Sequence, residues 1–297
     1  MSKRKPRRKE QHKAVETVTI GHHALAFIDI LNQKEKLSRI AKLPENDAEK
    51  AEFIRQWKET FGVVQAYRSM FHGFFKSFTE ERALPADAGK EEREFMRRAR
   101  RAEVKSQLFS DSMIYYTSLE DRADRFAISG VHTLLSGCAA TIFLSLSRKL
   151  VCRGGIESGI AGEFFEGEVY GPALYQAYHL ESEVARYPRI AVGKSLVEFI
   201  ASELHLAGGD LDSGYRRGLG KKCGQWLISD VDGVTILDFA GPATKEIFPV
   251  LKDAIDPALS FVKAEWQSFR QQGKTELAGR YYLLHNYLLD RKRTVWK

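Results

Sequence analysis

Two carboxylates stand where carboxylates are unusual. Asp29 interrupts the apolar run HALAFIDIL (23–31), whose aliphatic and β-branched content predicts a buried central strand. Asp111 lies in SQLFSDSMIYYTS (106–118), a pattern of strand, tight turn at Ser110–Asp111–Ser112 and second strand. A charge inside an apolar strand is costly unless it is paired or bound to a metal. If the strand at 25–31 and the strand at 106–109 are neighbours, both carboxylates reach one point. Two carboxylates, backbone carbonyls and phosphate oxygens together form the donor set that Mg²⁺ or Mn²⁺ takes in phosphoryl transfer. Two plainer readings stay open: Asp29 as a helix cap and Asp111 as an ordinary turn residue.

Other chemistries find no support. There is no HExxH zinc motif, no GxSxG elbow and no GxGxxG after a strand. GYRRGLGKK (214–222) misses the phosphate-loop pattern, because Tyr215 stands where the first glycine belongs and Lys222 replaces Ser or Thr. It is read as a flexible loop. Cys138, Cys152 and Cys223 are odd in number and widely spaced, which excludes a zinc ribbon or a disulfide framework and fits a reducing, cytoplasmic setting.

The elements that must carry the two carboxylates follow from the pattern of apolar residues. Residues 34–84 are helical, with breaks expected at Pro44 and Gly62, and 83–92 form a loop. The basic stretch 96–105 leads into the hairpin. A buried helix is predicted over 126–150, packed through the stripe Val131, Leu134, Leu135, Cys138, Ile142 and Leu146. Then come a strand at 151–159, a loop at 166–171 and a helix at 172–187 that opens on Pro172. They are followed by a strand at 189–193, a helix at 195–206 and a hairpin at 226–239 turning at Asp232–Gly233. Helices at 244–272 and 274–291 close the chain. Hairpins mixed with crossovers argue for an α/β (α+β) fold of the split βαβ kind, a mixed, mostly antiparallel sheet with helices on one face. The domain plan is a tail at 1–18, a main domain at 19–240 with a helical insertion near 34–84, and a helical extension at 241–297.

The 297 residues are 43% hydrophobic and 29% charged, enough to bury a core and to exclude wholesale disorder. The net charge of +7 is concentrated at the N-terminus: residues 1–13 carry seven cations against Glu10. The body is near neutral, so no stable nucleic-acid or membrane binding is expected. The tail is read as a solvated, disordered arm, with weak contact to anionic lipid, RNA or an acidic partner as the alternative. No apolar run follows the N-terminal charges, so no secretory signal is expected. Residues 126–147 lack Asp, Glu, Lys and Arg, but their Ser, Thr and His content favours a core helix over a lipid span.

FIDIL, FSDS, RGGIESG (153–159) and VYGPALYQAYHLE (169–181) occur in the order of the class III nucleotidyl cyclase core. There the elements are a strand F-x-D-I, a hairpin with a second metal Asp, R-x-G-I-x-x-G, and a helix G-x-x-V-N-x-A-x-R-L. With the AYHLE…A-x-YPRI run and a late helix ending in a YxxxHN-like pattern, the chain most resembles the Pycsar pyrimidine cyclases. Those are bacterial antiphage enzymes that make cyclic CMP or cyclic UMP. The resemblance covers about 19–240, and more weakly the C-terminal helices. It implies a cyclase-like palm with extra helices inserted and at the C-terminus.

The resemblance also implies roles. Asp29 and Asp111 match the metal ligands, with the Ile30 carbonyl completing the shell of two divalent ions, Mg²⁺ or Mn²⁺. Gln107 and Glu168 match the base-reading positions. An amide that both donates and accepts, beside a carboxylate and without a cation, suits a pyrimidine; CTP and UTP both remain open. Glu168 is expected to face Gln107 across a dimer interface. The family's transition-state Asn and Arg correspond to Tyr175 and His179, neither of which supplies a guanidinium fork. The later Lys falls near Asp230–Asp232 and is missing. Arg153, Arg186, Arg189 and Lys194 are the available cations, with Arg153 foremost.

The implied activity is cyclisation of CTP or UTP to the 3′,5′-cyclic monophosphate with release of pyrophosphate. The enzyme would be a homodimer, with the aspartates from one chain and helix 172–187 from the other. Its product would act on a separate cyclic-nucleotide-sensing effector. The alternatives are a catalytically inactive cyclase-like module that binds a nucleotide or a partner, and a palm-type nucleotidyltransferase.

Overall fold

The computed structural model describes residues 14–79, 89–165 and 167–297. The expected loop at 83–92 therefore lies mostly outside the described residues, as do residues 1–13 of the tail. An eight-stranded sheet runs β2-β3-β1-β4-β6-β8-β7, with β5 added on β4. Here β1 is Ala14–Ile30, β2 Lys105–Phe109, β3 Ser112–Ser118, β4 Cys152–Phe165 and β5 Glu168–Tyr170. The remaining strands are β6 Ile190–Val192, β7 Leu227–Ser229 and β8 Thr235–Leu237. Every pairing is antiparallel except β4 with β6. The fold is thus mixed α/β with a mostly antiparallel sheet. Strand β1 is longer than the apolar run suggested and starts inside the stretch read as tail. The 166–171 loop contains β5.

Alternation along β1 divides the core. Ala24, Ala26, Ile28 and Ile30 face one layer, built from α2 (Asp47–Thr79), α4 (Ala127–Ser147), α9 (Ile255–Gln271) and α10 (Thr275–Thr294). Leu25 and Phe27 face the other way, onto Ala173 and Ala177 of α5 (Pro172–His179). Helices therefore cover both faces, not one. Helix α4 is long and apolar enough to cross a membrane by length and composition, and it lies buried within the fold. It is buried on nearly all sides, beyond the single stripe expected. Its hydroxyls turn back on their own helix: Ser136 Oγ donates to the His132 carbonyl and Ser145 Oγ to the Ile142 carbonyl.

Three local readings are corrected. Helix α2 runs through Gly62 without a break, because that exposed position has open space around it and a long helix absorbs the roughly 1 kcal/mol penalty of one glycine. The glycine-rich stretch 214–222 is helical, inside α7 (Leu211–Gly224); Asp210 caps it by accepting from the Ser213 N–H at 2.8 Å. The helix predicted over 172–187 is α5 followed by a π-helical segment, Leu180–Ala185. The insertion also contains α1 (Gln33–Ser38), and α3 (Lys90–Arg100) leads into the hairpin; α6 (Lys194–Leu204) and α8 (Pro242–Ile247) complete the α-helices described.

Gly155 in the RGGI stretch sets how closely α5 docks on β4. A Cβ there would stand 2.2 Å from the Ala177 carbonyl and 2.6 Å from the Leu180 Cβ. Gly155→Ala is expected to destabilise the fold by about 3 kcal/mol, the upper range of overpacking costs, measured by urea denaturation; an unchanged midpoint would show that the helix can move away freely.

Candidate active site

Near its C-terminal end, β1 presents Asp29 directly opposite Ser112 on β3 and Arg153 on β4. Ser112 Oγ donates to Asp29 Oδ1 at 3.2 Å. Asp111, half-buried, precedes Ser112 in the hairpin turn, and its carbonyl accepts the Ile30 N–H at 3.3 Å. The turn is tight enough that Ser110 takes φ 51°, a left-handed conformation unusual for serine. Arg68 of α2 steadies it by donating from Nη2 to the Ser110 carbonyl at 2.8 Å.

Asp29 senses its burial and its acidic neighbours. Burial first, then the carboxylates of Glu181 and Asp111, push the Asp29 carboxyl up from 3.8 to about 6. Arg153 opposes this rise only weakly, because its guanidinium is turned aside. Its Nε and Nη2 both reach Glu181 Oε1, at 2.7 and 2.6 Å. Glu181 is buried in the π-helical segment, and burial is the main cause pushing its own carboxyl up, with Arg153 pulling the other way.

Arg153 is therefore committed to an ion pair, and so is Arg189. Arg189 is buried between Asp230 and Asp232 and donates to the Ala185 and Val184 carbonyls. The two aspartates near the expected Lys position serve to hold this arginine. Arg186 and Lys194 are exposed; Lys194 pairs with Glu198 at 3.4 Å. Tyr175 and His179 stack along the exposed side of α5, with Tyr175 63% exposed. Neither hydrogen-bonds to Asp29 or Asp111 within the chain.

Gln107 reaches the backbone beside Glu168 within one chain, where an approach of Glu168 across an interface was expected. Gln107 Oε1 accepts the Val169 N–H at 2.9 Å, next to the exposed Glu168. That bond orients the amide, leaving its NH₂ as the outward donor and removing the freedom to flip.

Ser112, Arg68 and Glu181 were not singled out from sequence. Only Glu181 carried a signal: it falls on the stripe Ala173–Ala177–Glu181, an acid at helical spacing behind two buried alanines. Arg68 and Ser112 act through hairpin geometry, which no spacing encodes.

Among the described residues, no group of three or more His, Cys, Asp or Glu side chains is placed to hold a metal ion. The donors fit a hard, oxygen-ligated cation held by two carboxylates, with backbone and substrate oxygens filling the shell. The burial and carboxylate repulsion that lift Asp29 are what such a cation offsets.

No protein-family model matches the chain, and no curated protein matches it. Among solved structures, it is similar to the catalytic core of a rhodopsin-guanylyl cyclase with converted specificity in complex with ATPαS. That match has 12% identity and a TM-score of 0.42, and covers 64% of this chain and 86% of the other. It is also similar to a class III adenylyl cyclase-like ATP-binding protein from Pseudomonas aeruginosa, at 12% identity and TM-score 0.41, over 70% of this chain and 41% of that one.

A raised carboxyl pKa has a fixed sign in stability. Between pH 3.8 and about 6 the unfolded chain ionises Asp29 while the folded chain resists, so stability falls as pH rises through that window. Asp29→Asn is expected to stabilise the metal-free protein at pH 7 by about 1 kcal/mol, discounted for the partial exposure of the carboxylate. The gain should vanish below pH 4. Urea melts in the presence of a chelator check it; a destabilised variant at pH 7 would contradict the burial assigned to Asp29.

Proposed function

We propose that the protein is a class III-type nucleotidyl cyclase that converts a pyrimidine nucleoside triphosphate, CTP or UTP, into its 3′,5′-cyclic monophosphate and pyrophosphate. One observation carries this reading: Asp29 and Asp111, 82 positions apart, are brought to the end of β1, where the Asp111 carbonyl accepts the Ile30 N–H and Ser112, next to Asp111, donates to Asp29. The family motifs on the same elements support it.

Asp29, Asp111 and the Ile30 carbonyl are the proposed ligands of Mg²⁺ or Mn²⁺. When bound, the ions neutralise phosphate charge and lower the pKa of the ribose 3′-hydroxyl. The chain's own contribution is positioning. Gln107 donates from its fixed NH₂, and Glu168 accepts. Cytosine satisfies both through N3 and its amino group, uracil through O4 and N3–H, so the pair excludes neither pyrimidine. The chemistry is attack of the 3′-oxygen on the α-phosphorus with pyrophosphate leaving in line.

The site is proposed to form in a homodimer of two-fold symmetry. Exposed rings support this: Phe109 at 77% on the hairpin and Tyr175 at 63% on α5, neither of which belongs to the monomer's core. Tyr175 and His179 would then face the partner's aspartates. A role in antiphage signalling, with the cyclic nucleotide acting on a separate effector, is what the Pycsar resemblance suggests.

A second reading has one observation in its favour. Arg153 and Arg189 are both held in ion pairs, so neither stands ready to neutralise a transition state. A cyclase-like domain that only binds nucleotide would look the same.

Incubation with each NTP and Mn²⁺ separates these readings. A cyclic pyrimidine nucleotide is expected, and Asp111→Asn should cut turnover roughly a thousandfold. No turnover favours the binding module, and an oligonucleotide product favours a polymerising nucleotidyltransferase. Preference for ATP or GTP overturns the pyrimidine assignment. Mixing an Asp29→Asn chain with a Tyr175→Ala chain should restore activity; failure of the mixture places each site within one chain.

A further inference from the structure

The hairpin that carries Asp111 has a second face. Gln107 and Ser112 lie on the side of Asp29, while Ser106 and Leu108 pair with Tyr115 and Met113 on the opposite side, toward α2. Between that side and α2 is a cleft of about 220 Å³.

One wall is cationic. Arg68, His72 and Lys76 line the cleft from positions four residues apart, one face of α2. Phe75 and Tyr115 also line it, and both are buried, with rings 4.7 Å apart; the Ser106 hydroxyl borders it on the hairpin side. Among the described residues, no carboxylate lines the cleft. Arg68 spends one Nη2 bond on the Ser110 carbonyl, yet its Nε is buried without a hydrogen-bond partner. A buried guanidinium N–H with no acceptor is costly, and an anion removes that cost.

We infer that this cleft binds a phosphate-bearing small molecule. A phosphate group offers several acceptor oxygens to the guanidinium fork, an imidazole N–H and the Ser106 hydroxyl. The volume falls below the usual range for large ligands, which limits the occupant to free phosphate or a compact phosphate ester. The site lies on the reverse of the sheet from Asp29. Because Arg68 also grips the Ser110 carbonyl, the bound phosphate and the Asp111 turn share one side chain.

Calorimetric titration of the chelator-treated full chain with inorganic phosphate at low ionic strength tests this. Without divalent ions or triphosphate present, the result is independent of the cyclase reading. Saturable binding of one phosphate per chain is expected. His72→Ala, and Arg68→Lys, which keeps the charge but alters the fork, should each weaken it about tenfold, the loss of one charge-assisted hydrogen bond. Asp29→Asn should leave it unchanged. Displacement of phosphate by CMP identifies an ester as the occupant, and lack of displacement identifies the free ion; both fit the site. No saturable binding by the unaltered protein, or binding undiminished in both folded variants, overturns the inference.

Discussion

Two like charges held together in a half-buried place are the constraint around which this molecule is arranged. Asp29 projects from the apolar end, Ala24–Ile30, of a central strand, and Asp111 is brought to it by a turn so tight that Ser110 adopts a left-handed backbone. Neither burial nor repulsion favours two adjacent carboxylates. The fold meets that cost with a set of fixed supports: the Ser112 hydroxyl on Asp29, the Ile30 N–H on the Asp111 carbonyl, and the Arg68 guanidinium on Ser110. The inserted helix α2, which looks like an accessory in the sequence, thereby becomes part of the support for the hairpin.

Arg153 shows what the arrangement avoids. It sits directly across from Asp29 on β4, where a cross-strand ion pair is the ordinary outcome. Instead it is drawn to Glu181, buried on the segment after α5. Breaking a buried pair by removing one partner typically costs about 3–5 kcal/mol, so the guanidinium is not readily released toward Asp29. The aspartate pair keeps its negative charge and its capacity for a cation. The close docking that puts Glu181 there depends on Gly155, whose missing side chain admits the Ala177 carbonyl.

Much of this was legible in the sequence, for identifiable reasons. Asp29 stood out because an acid in FIDIL breaks a pattern, and the hairpin at 106–118 followed from its alternating β-formers and polar turn. The parts that were not legible depend on contacts distant in sequence or on local capping. Nothing within 214–222 outweighs its three glycines; the Asp210 cap that does lies just outside it. Gln107 and Glu168 looked like opposing groups from two chains, because spacing cannot reveal that the Val169 N–H fixes the amide within one chain. The fate of Arg153 and Arg189 is equally hidden, since the sequence shows only their charge and their acidic partners lie 28 and 41 residues or more away.

Whether Asp29 and Asp111 together hold a divalent cation decides the chemistry open to this site. Anomalous diffraction from crystals soaked in Mn²⁺ with a non-hydrolysable CTP analogue measures this directly. The prediction is a manganese peak between the two carboxylates and beside the Ile30 carbonyl, at ordinary metal–oxygen bond lengths, and no such peak in crystals of Asp29→Asn. Manganese bound elsewhere with the aspartate pair empty, or a peak undiminished in the variant, would contradict it.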